Sequence, residues 1–250
     1  MQNVLNTLRV LEEVAERQPA GVAELSRALE LPKSSVQRAL VTLHTADWIR
    51  PAPGTPTRWL VTTKALRVGR RASGELGLRD IAVPVMEELR RRTDETVHLA
   101  IPEGGQIVLI ERLETSKPVR IILPLGHNLP AHASANGKAL LAAGPARTVE
   151  ELVARGLERF TDASITDPGA FLGELAAIRE RGYATNRGEW RDDVSAVAAA
   201  VTGAGGVPVA SISVNVPTSR MTDESQLALG VAVREAARTV GEMIGRMGPV

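Results

Sequence analysis

Apolar positions recur at helical spacing through the first third of the chain. Over residues 1–17, Val4, Leu8, Leu11 and Ala15 align on one face. Over residues 22–29, Val22, Leu25 and Leu29 do the same, and from Pro32 onward Val36, Leu40 and Leu43 form a third stripe. Proline costs little at a first helical position, because its missing N–H would lack an intrahelical partner anyway. The pattern then changes. Trp48-Ile49-Arg50 and Arg58-Trp59-Leu60-Val61-Thr62 have strand character, and the intervening Pro51-Ala52-Pro53-Gly54-Thr55-Pro56 can be neither helix nor central strand. Three helices and two strands around a proline-rich tip predict a winged helix-turn-helix.

The polar face of the third helix suggests a task. Lys33, Ser34, Ser35, Gln37, Arg38 and Thr42 supply two cations, three hydroxyls and an amide. Such a face suits phosphate contacts from its first turn and base-edge contacts from Gln37 and Arg38. An ordinary solvated helix would show the same face. Arg50 and Arg58 flank the proline-rich tip and could meet a phosphate backbone.

Further along, residues 63–71 read as a linker helix and residues 76–92 as a longer helix with Leu78, Ile81, Ala82, Val85 and Leu89 on one side. Pro84 predicts a kink or break there. Residues 96–101 and 106–113 predict a hairpin, and residues 119–123 a third strand. A helix over 167–181 starts at a Pro-Gly pair and stops at Gly182; strands over 183–187, 194–201 and 207–214 follow, and a helix over 222–247 closes the pattern. This order predicts an α+β domain, an antiparallel sheet flanked by helices, and excludes a βαβ repeat. The expected division is 1–62 for the winged helix-turn-helix domain, 63–73 for the linker helix and 74–250 for the larger α+β domain.

Charge follows the same division. Residues 1–73 hold 11 Lys and Arg against 6 Asp and Glu, and the remaining 177 hold 19 against 23. A basic small domain beside a slightly acidic large one fits a nucleic-acid module attached to something else. The absence of cysteine excludes disulfides, thiolate catalysis and cysteine-ligated zinc, and suits a reducing cytoplasm. No signal peptide or membrane span is visible in the sequence, so a cytoplasmic location is expected.

Enzyme chemistry finds little support. His98, His127 and His132 are candidates for acid–base work or a metal, but His127 and His132 are five apart in an apparent loop and lack a carboxylate nearby. Ser134 and Ser213 lack an elbow motif and a visible base. Gly203-Ala204-Gly205-Gly206 lacks the Lys-Ser/Thr and helix of a phosphate loop and reads as a hairpin turn. No metal and no cofactor is expected. A cavity is more convincing. Ala133-Ser134-Ala135-Asn136-Gly137 is small and polar and leads into a helix, whose first amides can bind an anion. Ala198-Ala199-Ala200 and the same-face pair Ser211 and Ser213 also leave room, although small residues equally permit close packing.

Several stretches together resemble the IclR-type bacterial transcriptional regulators, from about residue 5 to about residue 246. They are Leu8-Arg9-Val10-Leu11-Glu12, Leu25-Ser26-Arg27-Ala28-Leu29 and Leu31-Pro32-Lys33-Ser34-Ser35-Val36-Gln37-Arg38 in the first part. In the second part they are Leu129-Pro130-Ala131-His132-Ala133-Ser134-Ala135-Asn136-Gly137-Lys138-Ala139-Leu140-Leu141-Ala142, Gly182-Tyr183-Ala184-Thr185-Asn186-Arg187-Gly188-Glu189-Trp190, Val197-Ala198-Ala199-Ala200-Val201 and Pro208-Val209-Ala210-Ser211-Ile212-Ser213-Val214. The resemblance implies a GAF-like effector domain, a homodimer able to pair into a tetramer, and binding to a double-stranded DNA operator under control of a small molecule. It places Ala135, Asn136, Glu189, Ala200, Ser213 and Asn215 on or beside effector-contacting positions, with Ile121 and Leu123 as an apolar wall. Asp193, where the family often has Gly, and Asn215-Val216-Pro217, where it often has Ser-Gly-Pro, depart from the pattern near that pocket. The expected function is a repressor of an adjacent catabolic operon, responsive to a small organic acid or aromatic amide-like effector. The competing reading is a hydrolase or transferase whose N-terminal domain serves assembly.

Overall fold

The computed structural model describes residues 2–69 and 74–246. Its contacts fall into two units, Met1–Leu76 and Gly77–Val250.

The first unit opens with α1 (Gln2–Arg17), β1 (Ala20–Gly21), α2 (Val22–Leu29) and α3 (Lys33–Thr45). Then come β2 (Ile49–Pro51), β3 (Arg58–Val61) and the short α4 (Lys64–Gly69). Residues 70–73 of the expected linker helix lie outside the described residues. α1 buries a different stripe from the one its spacing suggested. Val10 and Val14 are fully buried, whereas Val4, Leu8 and Ala15 are exposed. Both stripes satisfy a 3.6-residue period, and Leu11 lies at the edge of the buried one. Packing of α1 on α2 and α3 decides between them. Leu25, Leu29, Val36, Leu40 and Leu43 complete the core, as their spacing suggested, with Ile49 and Trp59 added from the wing.

The turn between α2 and α3 is held from both sides: Ser26 Oγ donates to Leu31 O at 2.6 Å, and Leu31 N donates to Ser26 O at 3.1 Å. Pro32 is the cap of α3 rather than its first residue. The wing has an unexpected third strand. β1, only two residues long, pairs with β3, giving the antiparallel order β1-β3-β2. Pro51 is tolerated because β2 is an edge.

The second unit contains α5 (Gly74–Thr93), β4 (Thr96–Glu103), β5 (Gln106–Leu113), β6 (Asn128–Leu129) and α6 (Ala135–Ala143). It continues through α7 (Ala146–Arg155), α8 (Pro168–Arg181), β7 (Ala184–Arg187), β8 (Val194–Thr202), β9 (Pro208–Pro217) and α9 (Asp223–Arg246). α5 runs through Pro84 as one helix. The six strands pair antiparallel in the order β6-β5-β4-β9-β8-β7. The third strand expected over 119–123 is absent. Burial does alternate there, with Ile121 and Leu123 buried and Ile122 exposed, but no ladder forms. The outer strand is Asn128–Leu129 instead, and residues 114–127 cross as irregular chain.

The period of two separates the sheet into two faces. Val97, Leu99, Ile101, Val197, Ala199, Val201, Ile212 and Val214 pack with α5 and α9 in an apolar layer. The intervening residues, Thr96, His98, Ala196, Ala198, Ser211, Ser213 and Asn215, belong to the opposite face, under α6 and the irregular segment. Gly137 lets the first turn of α6 pack on the backbone of the preceding loop. A Cβ there would lie 2.3 Å from Ala131 O, so no other residue fits.

Candidate nucleic-acid interface and ligand cavity

α3 presents the polar face expected of it. Lys33, Ser34, Gln37, Arg38 and Thr42 are exposed and Ser35 is half-buried. Three of these side chains are engaged with their own helix: Thr42 Oγ1 donates to Arg38 O at 3.0 Å, and Arg38 Nη2 donates to Ser35 Oγ at 3.2 Å. Arg50 is exposed on the wing. Arg58 has a structural task that spacing could not show. Its Nε donates to Pro19 O at 2.8 Å and its Nη2 to Glu24 Oε2 at 2.7 Å. Glu24 also accepts from Gly21 N at 3.1 Å. The Gly21 amide and then the Arg58 guanidinium hold the Glu24 carboxyl below its usual range. Arg58 therefore ties β3 to the start of α2, the helix leading into α3.

The second unit encloses a cavity of about 20 Å³ between the sheet and the N-terminus of α6. Of the eight residues expected at an effector site, Leu123, Ala135, Asn136 and Asn215 line it. Asn136 Nδ2 donates to Ser211 Oγ at 3.0 Å, and Asn215 Nδ2 donates to Ser213 Oγ at 2.9 Å. Ser213 thus stands behind the wall, holding Asn215. Ile121 is buried in the same irregular segment but is not part of the wall.

The other two expected residues lie elsewhere. Glu189 is not part of the cavity wall: it receives two hydrogen bonds from Lys138 Nζ, at 2.6 and 2.8 Å. Burial raises its affinity for a proton while Lys138 opposes the rise. Ala200 lies in a separate open groove with Ala139, Ile178, Arg179 and Tyr183. Four residues earlier along β8, Ala196 faces the cavity.

Spacing also missed His98, Asn186, Trp190 and Ala196 as cavity walls. For His98 the signal was present: Thr96, His98 and Ala100 alternate with Val97, Leu99 and Ile101, so the imidazole belongs to the face away from the apolar layer. His98 is 1 % exposed, and neither ring nitrogen has a hydrogen-bond partner. Burial, reinforced by the nearby Arg112 cation, pushes its pKa down to about 3. α6 begins against this space. Its cap, Ser134, accepts from Gly137 N at 3.0 Å, and Ala135 and Asn136 form its first turn.

The other histidines have ordinary partners. His132 Nε2 bonds Glu158 O at 2.8 Å, and His127 lies against Trp190. Among the described residues no group of three or more His, Asp or Glu is placed to hold a metal ion. No described helix is long and apolar enough to cross a membrane.

A helix-turn-helix with a wing, in one chain with an antiparallel sheet flanked by helices, defines a two-unit DNA-binding regulator. Residues 4–53 match the IclR helix-turn-helix domain, and residues 71–242 match the domain described as bacterial transcriptional regulator IclR C-terminal. The chain belongs to the IclR family of transcriptional regulators. It is 36% identical over 232 residues to the HTH-type transcriptional regulator BhcR of Paracoccus denitrificans, a match covering 92% of this chain and 83% of that one. It is 32% identical over 227 residues to the HTH-type transcriptional repressor AllR of Escherichia coli K12, covering 90% and 83% respectively. An IclR homolog from Microbacterium hydrocarbonoxydans, solved in complex with 4-hydroxybenzoate, superposes with a TM-score of 0.82 at 26% identity, covering 97% of this chain and 98% of that one. These relatives are regulators and repressors, and the hydrolase or transferase reading is set aside on that ground.

Proposed function

We propose that this chain is a cytoplasmic repressor of an adjacent catabolic operon, whose hold on its operator is set by a small organic acid or aromatic amide-like effector. The observation that carries the reading is the small cavity at the start of α6, where side-chain amides meet apolar walls. The first-turn amides of Ala135 and Asn136 suit a carboxylate, Asn136 and Asn215 offer amide groups, and Leu123 offers apolar contact. At about 20 Å³ the empty cavity has room for about one water molecule. An acid must therefore displace its walls, of which Leu123 belongs to the irregular segment 114–127. A ligand that binds the open and closed arrangements unequally can shift DNA affinity. One winged unit reads a short half-site, so a homodimer is required, and a tetramer on DNA extends the same logic.

The test is fluorescence anisotropy with DNA from upstream of the protein's own gene. Wild type should bind it in preference to random DNA. Gln37→Ala and Arg38→Ala should each lose about 1–3 kcal/mol of that preference. A small carboxylate such as 4-hydroxybenzoate should change the affinity. Unchanged discrimination in both variants would remove α3 as the reading helix, and sedimentation as a monomer with and without operator would remove the dimer.

A further inference from the structure

We infer that His98 is the charge partner of the effector's carboxylate, and that each carboxylate entering the cavity brings one proton in with it. The inference rests on the cavity being the effector site and adds the chemistry of its floor. His98 is buried in the middle of β4, between Ser213 on β9 and Arg112 on β5. A buried polar side chain normally finds a partner, and an imidazole with both nitrogens bare is destabilising where it stands. It lines the same cavity as the first turn of α6. Two independent features, a helix N-terminus and an unpartnered imidazole, thus converge on one enclosed space.

The surrounding charges explain why the proton must come from solvent. From β5, Arg112 faces His98, but its guanidinium already bonds Leu123 O and, at 2.8 Å, Glu114. Glu114 is further engaged by Arg120 at 2.9 Å. From α6, Lys138 is turned to Glu189. β9 contributes Ser213 and Asn215, and β7 contributes Asn186, all uncharged at any working pH. A carboxylate buried among these groups would lack a cation of its own, which is costly. The imidazole can supply one. With no carboxylate beside it, His98 is neutral at neutral pH, because burial and Arg112 disfavour its cation. When RCOO⁻ enters, the buffer acid BH⁺ gives its proton to the ring nitrogen and leaves as B, and the product is an imidazolium–carboxylate pair. Transfer of the proton to the carboxylate gives a neutral pair with the same uptake.

The experiment is isothermal titration of the full chain with benzoate, glycolate and pyruvate, each at pH 7.5 in phosphate and in Tris. The difference in apparent enthalpy between buffers of unequal ionisation enthalpy gives the protons taken up. Wild type should take up about one proton per carboxylate, and affinity should fall up to about tenfold per pH unit as pH rises. His98→Asn should bind more weakly and take up none. The neutral amides of the three acids should bind without uptake or not at all. Carboxylate binding without uptake in wild type, or equal uptake in His98→Asn, would overturn the inference. Ala196→Leu, which fills the cavity, separates this from failure of the site itself. If Ala196→Leu blocks a carboxylate that binds wild type without proton uptake, the site stands and the role of His98 falls. If it leaves binding untouched, or if none of the three acids binds wild type, both fall. Stability gives an independent check. His98→Leu should fold and raise Tm by about 2–4 °C, since it removes two buried bare nitrogens; a fall in Tm would show that His98 serves the empty fold instead.

Discussion

Lys138, 1 % exposed on α6, places its ammonium on both carboxylate oxygens of Glu189, at 2.6 and 2.8 Å. Glu189 sits in the β7–β8 connection next to Trp190, so the pair fastens α6 to one wall of the cavity. The Lys138 nitrogen also lies 3.7 Å from Glu174 of α8, whose own partner is Arg181 at 2.7 Å. Removing one member of a buried pair strands the other. Lys138→Met should therefore cost about 3–5 kcal/mol, read by urea denaturation. The double change Lys138→Met with Glu189→Leu should return most of that loss, because no lone charge remains and Glu174 keeps Arg181. A double variant as unstable as the sum of its singles would show that the pair is not acting as a unit.

The buried His98 has a consequence for acid stability. An unfolded histidine takes its proton near pH 6.5, whereas the folded His98 resists until about 3. Between these values the unfolded chain binds more protons, so this group makes stability fall as pH falls through the window. Its contribution is up to about 1.4 kcal/mol per pH unit, and it is absent above the unfolded value. His98→Leu should flatten the stability profile between about pH 6 and pH 4 relative to wild type. Parallel profiles would mean that His98 is protonated in the fold well above the value burial implies.

Much of this was legible in the sequence, for reasons that differ by element. α2, α3 and the wing were readable because Leu25, Leu29, Val36, Leu40 and Leu43 form single apolar stripes and because six residues around Pro53 allow little but a turn. α1 was misread because two stripes compete on it, and only tertiary packing selects Val10 and Val14. Residues 119–123 imitate a strand because burial alternates there, yet pairing depends on a neighbour that spacing does not reveal. In the cavity, Asn136 and Asn215 emerged from family position. Ala200 stands four residues from Ala196 along β8, a distance that keeps the face but places it in the open groove rather than the cavity. The Lys138 bond to Glu189 spans 51 residues, and a charge pair of that separation has no signature in periodicity.

Arg58 offers a test of position against contact. If its bonds to Pro19 and Glu24 set the wing, Glu24→Gln should weaken operator binding although it removes a negative charge. Simple electrostatics predicts the reverse. Arg58→Ala should weaken binding without changing its dependence on salt, whereas Lys33→Ala should lower the slope of log affinity against log salt by about one. Anisotropy titrations across a range of salt concentrations give both quantities. A lower slope for Arg58→Ala, with Glu24→Gln binding more tightly, would make Arg58 a phosphate contact.

Ala196 and Ala200 share one face of β8 and should respond oppositely to enlargement. Ala196 lines the enclosed cavity and pairs across the ladder with Asn215. Ala200 pairs with Ser211 and borders the open groove beside Tyr183 and Arg179. A leucine at 196 must take up the space a ligand would need, and overpacking there costs about 1–3 kcal/mol. The side chains proposed to contact DNA belong to the other unit, so operator affinity should stay near wild type while the effector response disappears. A tryptophan at 200 projects toward a groove open to solvent, and the response should survive. Circular dichroism establishes that each variant is folded, and anisotropy with and without effector reads the response. A folded Ala196→Leu protein that still responds, beside an Ala200→Trp protein that does not, would move the effector from the cavity to the groove.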